Sequence, residues 1–336
     1  MANTPWASNN SRYWFAGANA DIDIHIEAYE GTIDGSFRVE SLFRSSNFTN
    51  FKSVAHQSNT WRGDRLGGVS VTGRKSGEAP TTQRIANEKL VITVDTTSLV
   101  RTTTDDQDDW TAPDITAEYS AEHATAHAKA FDQAHIIQLI KCAAFTPPAD
   151  LAGSFWPGIS KTTTGLNAAT ASGLLTKAEV QADILVQTHK DALSDLVKRD
   201  LGGELNRMVT LVDVDTFSLL LDHRKLMNVD FSADNGNFAG RRVAHLNGTT
   251  IVETPRFPKS AIASHFLGPA FNVSAAEAKA CMIIFDPARA LVTVEAQPMT
   301  VRVIPMPQDF ATLLDSYTMY TVGQRRPDAV AVIFRE

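Results

Sequence analysis

Long apolar runs are missing from this chain. The longest purely apolar stretches are a few residues each, far short of the roughly 20 that a membrane-spanning helix needs. No membrane partner is expected. Cysteine is nearly missing as well: Cys142 and Cys281 are the whole supply. They form no CxxC metal pair and no disulfide framework, and they fit the reduced thiols of a cytoplasmic protein. Positive charge is not in excess. Lys and Arg total 31 against 38 Asp and Glu, a net charge of −7, which argues against broad electrostatic binding to nucleic acid. An acidic surface beside packed DNA would still be compatible. Phosphate-binding loops are absent, since no GxxxxGK[ST] and no strand-borne GxGxxG occurs; "RLGGVSVTGRKSG" has glycines and basic residues at the wrong spacing. No GxSxG elbow marks a serine hydrolase. The opening "MANTPWASNNSRYW" lacks the basic and apolar regions of a signal peptide, so sequons such as Asn247-Gly248-Thr249 carry no weight. No internal repeat or low-complexity tract occurs.

What is present is the composition of a folded protein: 336 residues, 43% hydrophobic, 21% charged and 8% aromatic. That length fits one large or two medium domains. Residues 1–50 read as an arm with too little core material to fold alone; "DIDIHIEAY" alternates like a half-buried strand. From Phe51 to Lys89 the chain is rich in Gly, Ser, Thr, Asn and Arg and poor in large aliphatics. Such a segment inside a compact protein is usually functional or disordered. A long projecting hairpin fits it, with Trp61 and the "VSV" around Ser70 as its better strand positions, leading into one clear strand, "KLVITVDTTSLV". Its charge is lopsided. Lys52, Arg62, Arg65, Arg74, Lys75, Arg84 and Lys89 face only Asp64, Glu78 and Glu88.

Next comes "TDDQDDWTAPD", with Asp105, Asp106, Asp108 and Asp109 crowded together and no basic residue among them. Pro113 and Asp114 suit the first turn of a helix. From Asp114 to Lys141 there is no Gly or further Pro, and the run is rich in alanine, so a spine helix roughly 40 Å long is predicted. "TPPADLAGSFWPG" and "SKTTTGLNAATASG" read as irregular. A second long helix follows, with a Thr176/Glu179 capping box, an apolar stripe of Val180, Ile184, Leu185, Leu193, Leu196 and Val197, and a Gly202-Gly203 stop. "RMVTLVD" predicts a buried strand and "VDTFSLLLDHRKLMN" a short helix. More strands are expected at "RRVAHL", "TTIVET", "CMIIFD", "ALVTVEA", "MTVRVIP" and "DAVAVIF", with a helix at "DFATLLDSYTMYTV". Strands and helices do not alternate regularly, so the fold class is α+β and a doubly wound nucleotide-binding sheet is disfavoured.

Two arrangements could carry chemistry. His123 and His127 are four apart on one helix face, the spacing of a helical metal pair. The stretch "HATAH" lacks the glutamate of HExxH, however, and partly buried helix histidines fit it better. Asp213 and Asp215 could mimic a metal-binding DxD, yet a strand end and a helix cap explain them equally well. The four connector aspartates lack the alternation and glycine of a calcium loop. A soluble metal-dependent enzyme using Asp213/Asp215 or His123/His127 is thus the alternative reading; a dimeric binding protein is a third. A basic hairpin and an acidic patch on one chain also suggest head-to-tail binding between copies. Mere solvation of both is an equal alternative on composition alone.

The order of elements resembles the HK97-type fold of tailed-phage major capsid proteins. The local sequence is similar to those of short-tailed (podovirus), autographivirus-like phages. Four stretches carry the likeness: Asn87 to Asp132, "LSDLVKRDLGGELNRMVTLVDVDTFSLLLD", "GRRVAHLNGTTIVETPRFP" and the ending "SYTMYTVGQRRPDAVAVIFRE". The resemblance as a whole covers roughly Glu27 to Glu336. The resemblance implies an N-terminal arm (1–50), an E-loop hairpin (51–95) and a peripheral domain (96–150) carrying the spine helix. An axial domain (151–285) would follow, then a return to the peripheral domain and a last axial strand (286–336). It implies a non-enzymatic head protein without cofactor, assembled as hexamers and pentamers into an icosahedral virion shell in the host cytoplasm. Its partners would be its own copies, a separate scaffolding protein, a portal, packaged double-stranded DNA bound without sequence specificity, and optionally a decoration protein. Arg62, Arg65, Arg74 and Lys75 are then the expected contacts to a neighbouring subunit, with Asp105, Asp106, Asp108 and Asp109 as acidic counterparts.

Overall fold

The computed structural model describes residues 41–55, 58–80, 82–107, 115–151, 155–201, 207–227, 236–237, 242–243 and 245–336. The arm as far as Glu40, and Asp108, Asp109 and Asp114, lie outside the described residues. In chain order the strands are β1 (Asn50–Ser53), β2 (Thr60–Leu66), β3 (Asn87–Thr93), β4 (Thr97–Asp105), β5 (Ile159–Thr163), β6 (Val209–Asp213), β7 (Gly236–Asn237), β8 (Arg242–Val243), β9 (His245–Leu246), β10 (Thr249–Thr254), β11 (Ala280–Phe285), β12 (Leu291–Met306), β13 (Ala311–Gln324) and β14 (Val330–Arg335). The helices that matter below are α1 (Leu42–Ser45), α2 (Ile115–Lys141), α3 (Lys177–Leu196) and α4 (Val214–Leu220). Two compact units divide the chain. Of the described residues, the smaller takes Ser41 and those within Ser98–Ala128 and Met299–Thr318; the larger takes those within Leu42–Thr97, Lys129–Pro298 and Met319–Glu336.

The larger unit is built on a six-stranded sheet in the order β5-β14-β11-β6-β10-β9. It is mixed: β5/β14 and β6/β10 are parallel, while β14/β11, β11/β6 and β10/β9 are antiparallel. β11 is apolar at every position, and β6 and β14 are so but for Thr210, Asp213 and Arg335, because both faces of the sheet centre are covered; the period of two divides their side chains between layers. Leu211, Ile283, Phe285, Val330 and Val332 pack with Phe43, the Ala134–Ile140 end of α2 and Cys142 just beyond it. Val212, Met282, Ile284, Ala331 and Ile333 pack instead with Leu185, Ala192, Leu193 and Leu196 of α3. The α3 capping box forms as the sequence predicts: Thr176 Oγ accepts from the Glu179 N–H, and Glu179 returns the contact to the Thr176 N–H at 2.7 Å. Between β9 and β10, Asn247 (φ 49°) and Gly248 (φ 89°) both take left-handed conformations, as a tight two-residue hairpin turn requires. Asp132, 1% exposed, accepts the Leu42 and Phe43 N–H groups at 2.8 and 3.2 Å and so caps α1 from a distant part of the chain.

In the smaller unit the outer parts of β12 and β13 lie beside β4, in that order, together with α2 as far as Ala128. Four local expectations are corrected. "KLVITVDTTSLV" is two strands, β3 and β4, because Val94 turns into the core at 1% exposure and its N–H closes onto Asn59 O. "VSV" falls in the irregular tip of the hairpin, with Val71 fully exposed, and the strand is Thr60–Leu66 instead. "ISKTT", within a stretch read as irregular, is the edge strand β5, aligned on β14. "DFATLLDSYTMYTV" is not helical; it belongs to β13. Its buried residues Ser316, Thr318, Tyr320 and Val322 alternate with half-buried ones, and β-branched and aromatic side chains dominate.

Candidate assembly surfaces

In the larger unit β2 and β3 form a two-stranded ribbon, with Arg62 opposite Val91, Gly63 opposite Leu90 and Arg65 opposite Glu88. Alternation gives it two unlike faces. Arg62, Asp64 and Leu66 of β2, with Lys89 and Val91 of β3, point to solvent; Trp61, Gly63 and Arg65, with Leu90 and Ile92, point the other way. A side chain at Gly63 would strike the Trp61 ring, its Cβ lying 2.3 Å from the indole edge, so glycine lets the indole lie flat along the strand. Beyond the ribbon, the described residues within 67–86 form a tip without regular strand pairing, turned at Gly77 (φ 93°). Leu66, Val69, Val71 and Ile85 are all more than half exposed here.

The four basic residues expected to meet a neighbour do not share one environment. Arg62 is exposed. Arg74 and Lys75 sit exposed in the tip, where the Arg74 side chain donates to Glu78 O and the Lys75 N–H to the Glu78 carboxylate. Arg65 is only 8% exposed and works within its own chain. It is ion-paired to Glu88 at 3.2 Å, donates to Gln324 O at 2.5 Å and Arg325 O at 3.3 Å, and lies over the rings of Phe145 and Phe155 at 5.0 and 5.7 Å. Parity along β2 separates Arg62 from Arg65, three positions apart, and could have been read from the sequence.

In the smaller unit Asp105 and Asp106 are half-buried and partly engaged. Asp105 accepts the Gln107 N–H at 2.9 Å, and Asp106 accepts the Thr312 hydroxyl at 2.9 Å while its own N–H donates to Phe310 O. The aspartates at this point are not all left over for another partner.

His123 and His127, 3% and 6% exposed, are committed to hydroxyls. His123 contacts Thr102 Oγ1 and Ser316 Oγ, both at 3.0 Å. His127 Nε2 lies 3.3 Å from Ser316 O and 3.1 Å from its Oγ, with Ser98 Oγ on the other ring nitrogen at 3.4 Å. A carbonyl only accepts, so Nε2 of His127 carries the hydrogen and Nδ1 accepts from Ser98. Burial lowers both histidines below their ordinary pKa; Asp315 partly offsets this at His123. These are satisfied core histidines joining a helix to strands. Asp213 occupies the cap position of α4 without a side-chain cap bond, and Asp215 falls in the first turn, 3.9 Å from Lys259. The helix thus starts two residues earlier than a cap at Asp215 would place it. Among the described residues no three His, Cys, Asp or Glu side chains converge as a metal site. Cys142 and Cys281 are free and buried, and burial raises both thiols, Cys281 to about 12.

The hairpin of the larger unit thus presents exposed apolar and basic side chains together. No family profile matches the sequence, and no curated protein matches it. Solved structures do. The chain is 43% identical to the protein in the asymmetric unit of the bacteriophage PhiM1 mature capsid, covering 99% of both chains with a TM-score of 0.78. It shares the fold of the capsid protein of Cyanophage P-SCSP1u at 17% identity, covering 100% of this chain and 99% of that one, TM-score 0.74. It shares that of the native GTA particle at 14% identity, covering 100% and 99%, TM-score 0.57. The chain belongs to the HK97-type major capsid proteins of tailed bacteriophages. It is a virion structural protein, and its copies build an icosahedral shell.

Proposed function

We propose that copies of this chain associate as hexamers and pentamers that enclose the double-stranded DNA of a short-tailed phage, and that the chain acts without catalysis. Assembly takes place in the host cytoplasm on a separate scaffolding protein and around a portal, with an external decoration protein as an optional addition. The hairpin tip makes the contact between neighbours. The observation that carries this reading is the exposure of Leu66, Val69, Val71 and Ile85 beside Arg62, Arg74 and Lys75. A projecting surface both apolar and basic suits an acidic, partly apolar counterpart. The acidic connector of a neighbouring copy, with Asp105, Asp106, Asp108 and Asp109, offers that charge. Exposed pairs contribute under about 1 kcal/mol each, so the contact works through repetition around the shell.

The test is the triple substitution Arg62→Glu, Arg74→Glu and Lys75→Glu, followed by sedimentation of shells at moderate salt. Assembly is expected to fall sharply. Shell yield equal to that of the unaltered protein would contradict the reading. Arg65 is left out because its substitution disturbs the subunit's own packing.

A further inference from the structure

A two-stranded ribbon is marginal in water on its own, so something must hold the hairpin at a fixed angle. Two features of the larger unit do so. The first is a notch. Gly323 of β13 lies under Ile92 of β3, where an added Cβ would sit 2.2 Å from the Ile92 side chain. Ile92 and Val94 then pack with Val54, Val292 and Val294, flanked by Trp61 and Leu90. The second is Arg65, whose guanidinium reads two consecutive carbonyls, those of Gln324 and Arg325, directly after the notch. The turn it grips is fixed from its other side, because Ala290 O accepts the N–H groups of both Arg325 and Arg326 at 2.9 and 3.3 Å. Asp328 holds Arg326, which lies over the same Phe155 ring at 5.1 Å. The "QRRPD" turn is thus a receptor for the base of the hairpin.

We propose that Arg65 is a positioning residue for assembly: together with the Gly323 notch it clasps the hairpin base to the end of β13 and so fixes the direction in which residues 67–86 leave the subunit. This rests on the reading that the tip meets a neighbour. The guanidinium is used in several directions at once: one edge for the carbonyls, one nitrogen for Glu88, and its central carbon over the Phe145 and Phe155 rings. A lysine is a single compact charge and cannot make these contacts together. Breaking the clasp leaves two carbonyls and Glu88 without their donor while the ribbon's own pairing survives, so the hairpin loosens and the body stays folded.

Hydrogen exchange of the full-length chain before assembly, followed by shell yield, tests this. In Arg65→Met, peptides covering 60–66 and 87–93 are expected to exchange about tenfold faster or more, corrected for intrinsic rates, while the β11 peptide 280–285 stays protected. Shell yield falls, and Arg65→Lys does not restore it. Unchanged hairpin exchange overturns the clasp. Faster exchange with a normal rate and yield of shells overturns the positioning role. If Arg65→Met also unprotects β11, Glu88→Gln and Gly323→Val, which leave the guanidinium in place, are read by the same two criteria. The Arg62/Arg74/Lys75 triple variant separates the two readings. It leaves hairpin exchange at its normal rate, so its normal assembly would remove the neighbour contact without touching the exchange result for the clasp.

Discussion

Asp132 shows how one side chain can fix an element far away in sequence. Its buried carboxylate answers the first N–H groups of α1, placing Phe43 against His135 and Phe285 with ring centroids 4.7 and 6.3 Å apart. Asp132→Ala leaves those donors buried without an acceptor and is expected to destabilise the chain by about 1–3 kcal/mol, measured by urea unfolding. Two other buried residues set the response to acid. His135 donates from Nδ1 to Phe131 O and accepts from the Thr293 hydroxyl at Nε2, both at 2.7 Å; His189 is enclosed by Thr210 and Asn247. Burial lowers both to about 4. Each is neutral in the fold, whereas the unfolded chain binds a proton below about pH 6.5. Their stabilising effect is therefore complete above pH 6.5, declines as the pH falls, and is gone near pH 4. The loss is about 3 kcal/mol for each histidine. Urea midpoints should drop steeply between pH 6.5 and 4.5, and His189→Gln should flatten part of that slope.

Among the elements, β11 sits between β14 and β6 and is buried along its whole length. Ile283→Ala should destabilise by about 2–5 kcal/mol with little change in the hairpin, since it opens a cavity against α2. This strand, β6 and β14 were legible as short apolar runs, α2 from its alanines and lack of Gly or Pro, and α3 from its capping box and apolar stripe. β13 was not. "FATLLDSYTMY" carries Phe310, Leu313, Leu314 and Tyr317 at a spacing that also suits a helix, and only its place in a sheet shows that Thr318, Tyr320 and Val322 form one buried row. The hairpin could be expected from composition, but its division into a clasped base and a bare tip could not. Arg65 looks like any other basic residue until the carbonyls of Gln324 and Arg325, far along the chain, are brought beside it. The connector aspartates show the same limit, since the acceptance of the Thr312 hydroxyl by Asp106 depends on a contact across the fold.

At the scale of the whole molecule, a chain 43% identical to a protein of a mature phage capsid over nearly its full length is a shell subunit. In the proposed contact, neighbouring copies give its exposed tip a physical purpose. Apolar groups such as Val71 stay in water in the single subunit, and association would cover them, so the stability of the chain should depend on the concentration of its copies. Unfolding of assembled protein is accordingly expected at higher temperature than unfolding of dilute subunits, with the difference shrinking in the Arg62/Arg74/Lys75 variant. The most direct test of the central claim is electron microscopy, with sedimentation, of the purified full-length chain at high concentration. Closed icosahedral shells, or rings of capsomer size, are the predicted result. A chain that stays a monomer or dimer at every concentration and salt tried would contradict the account.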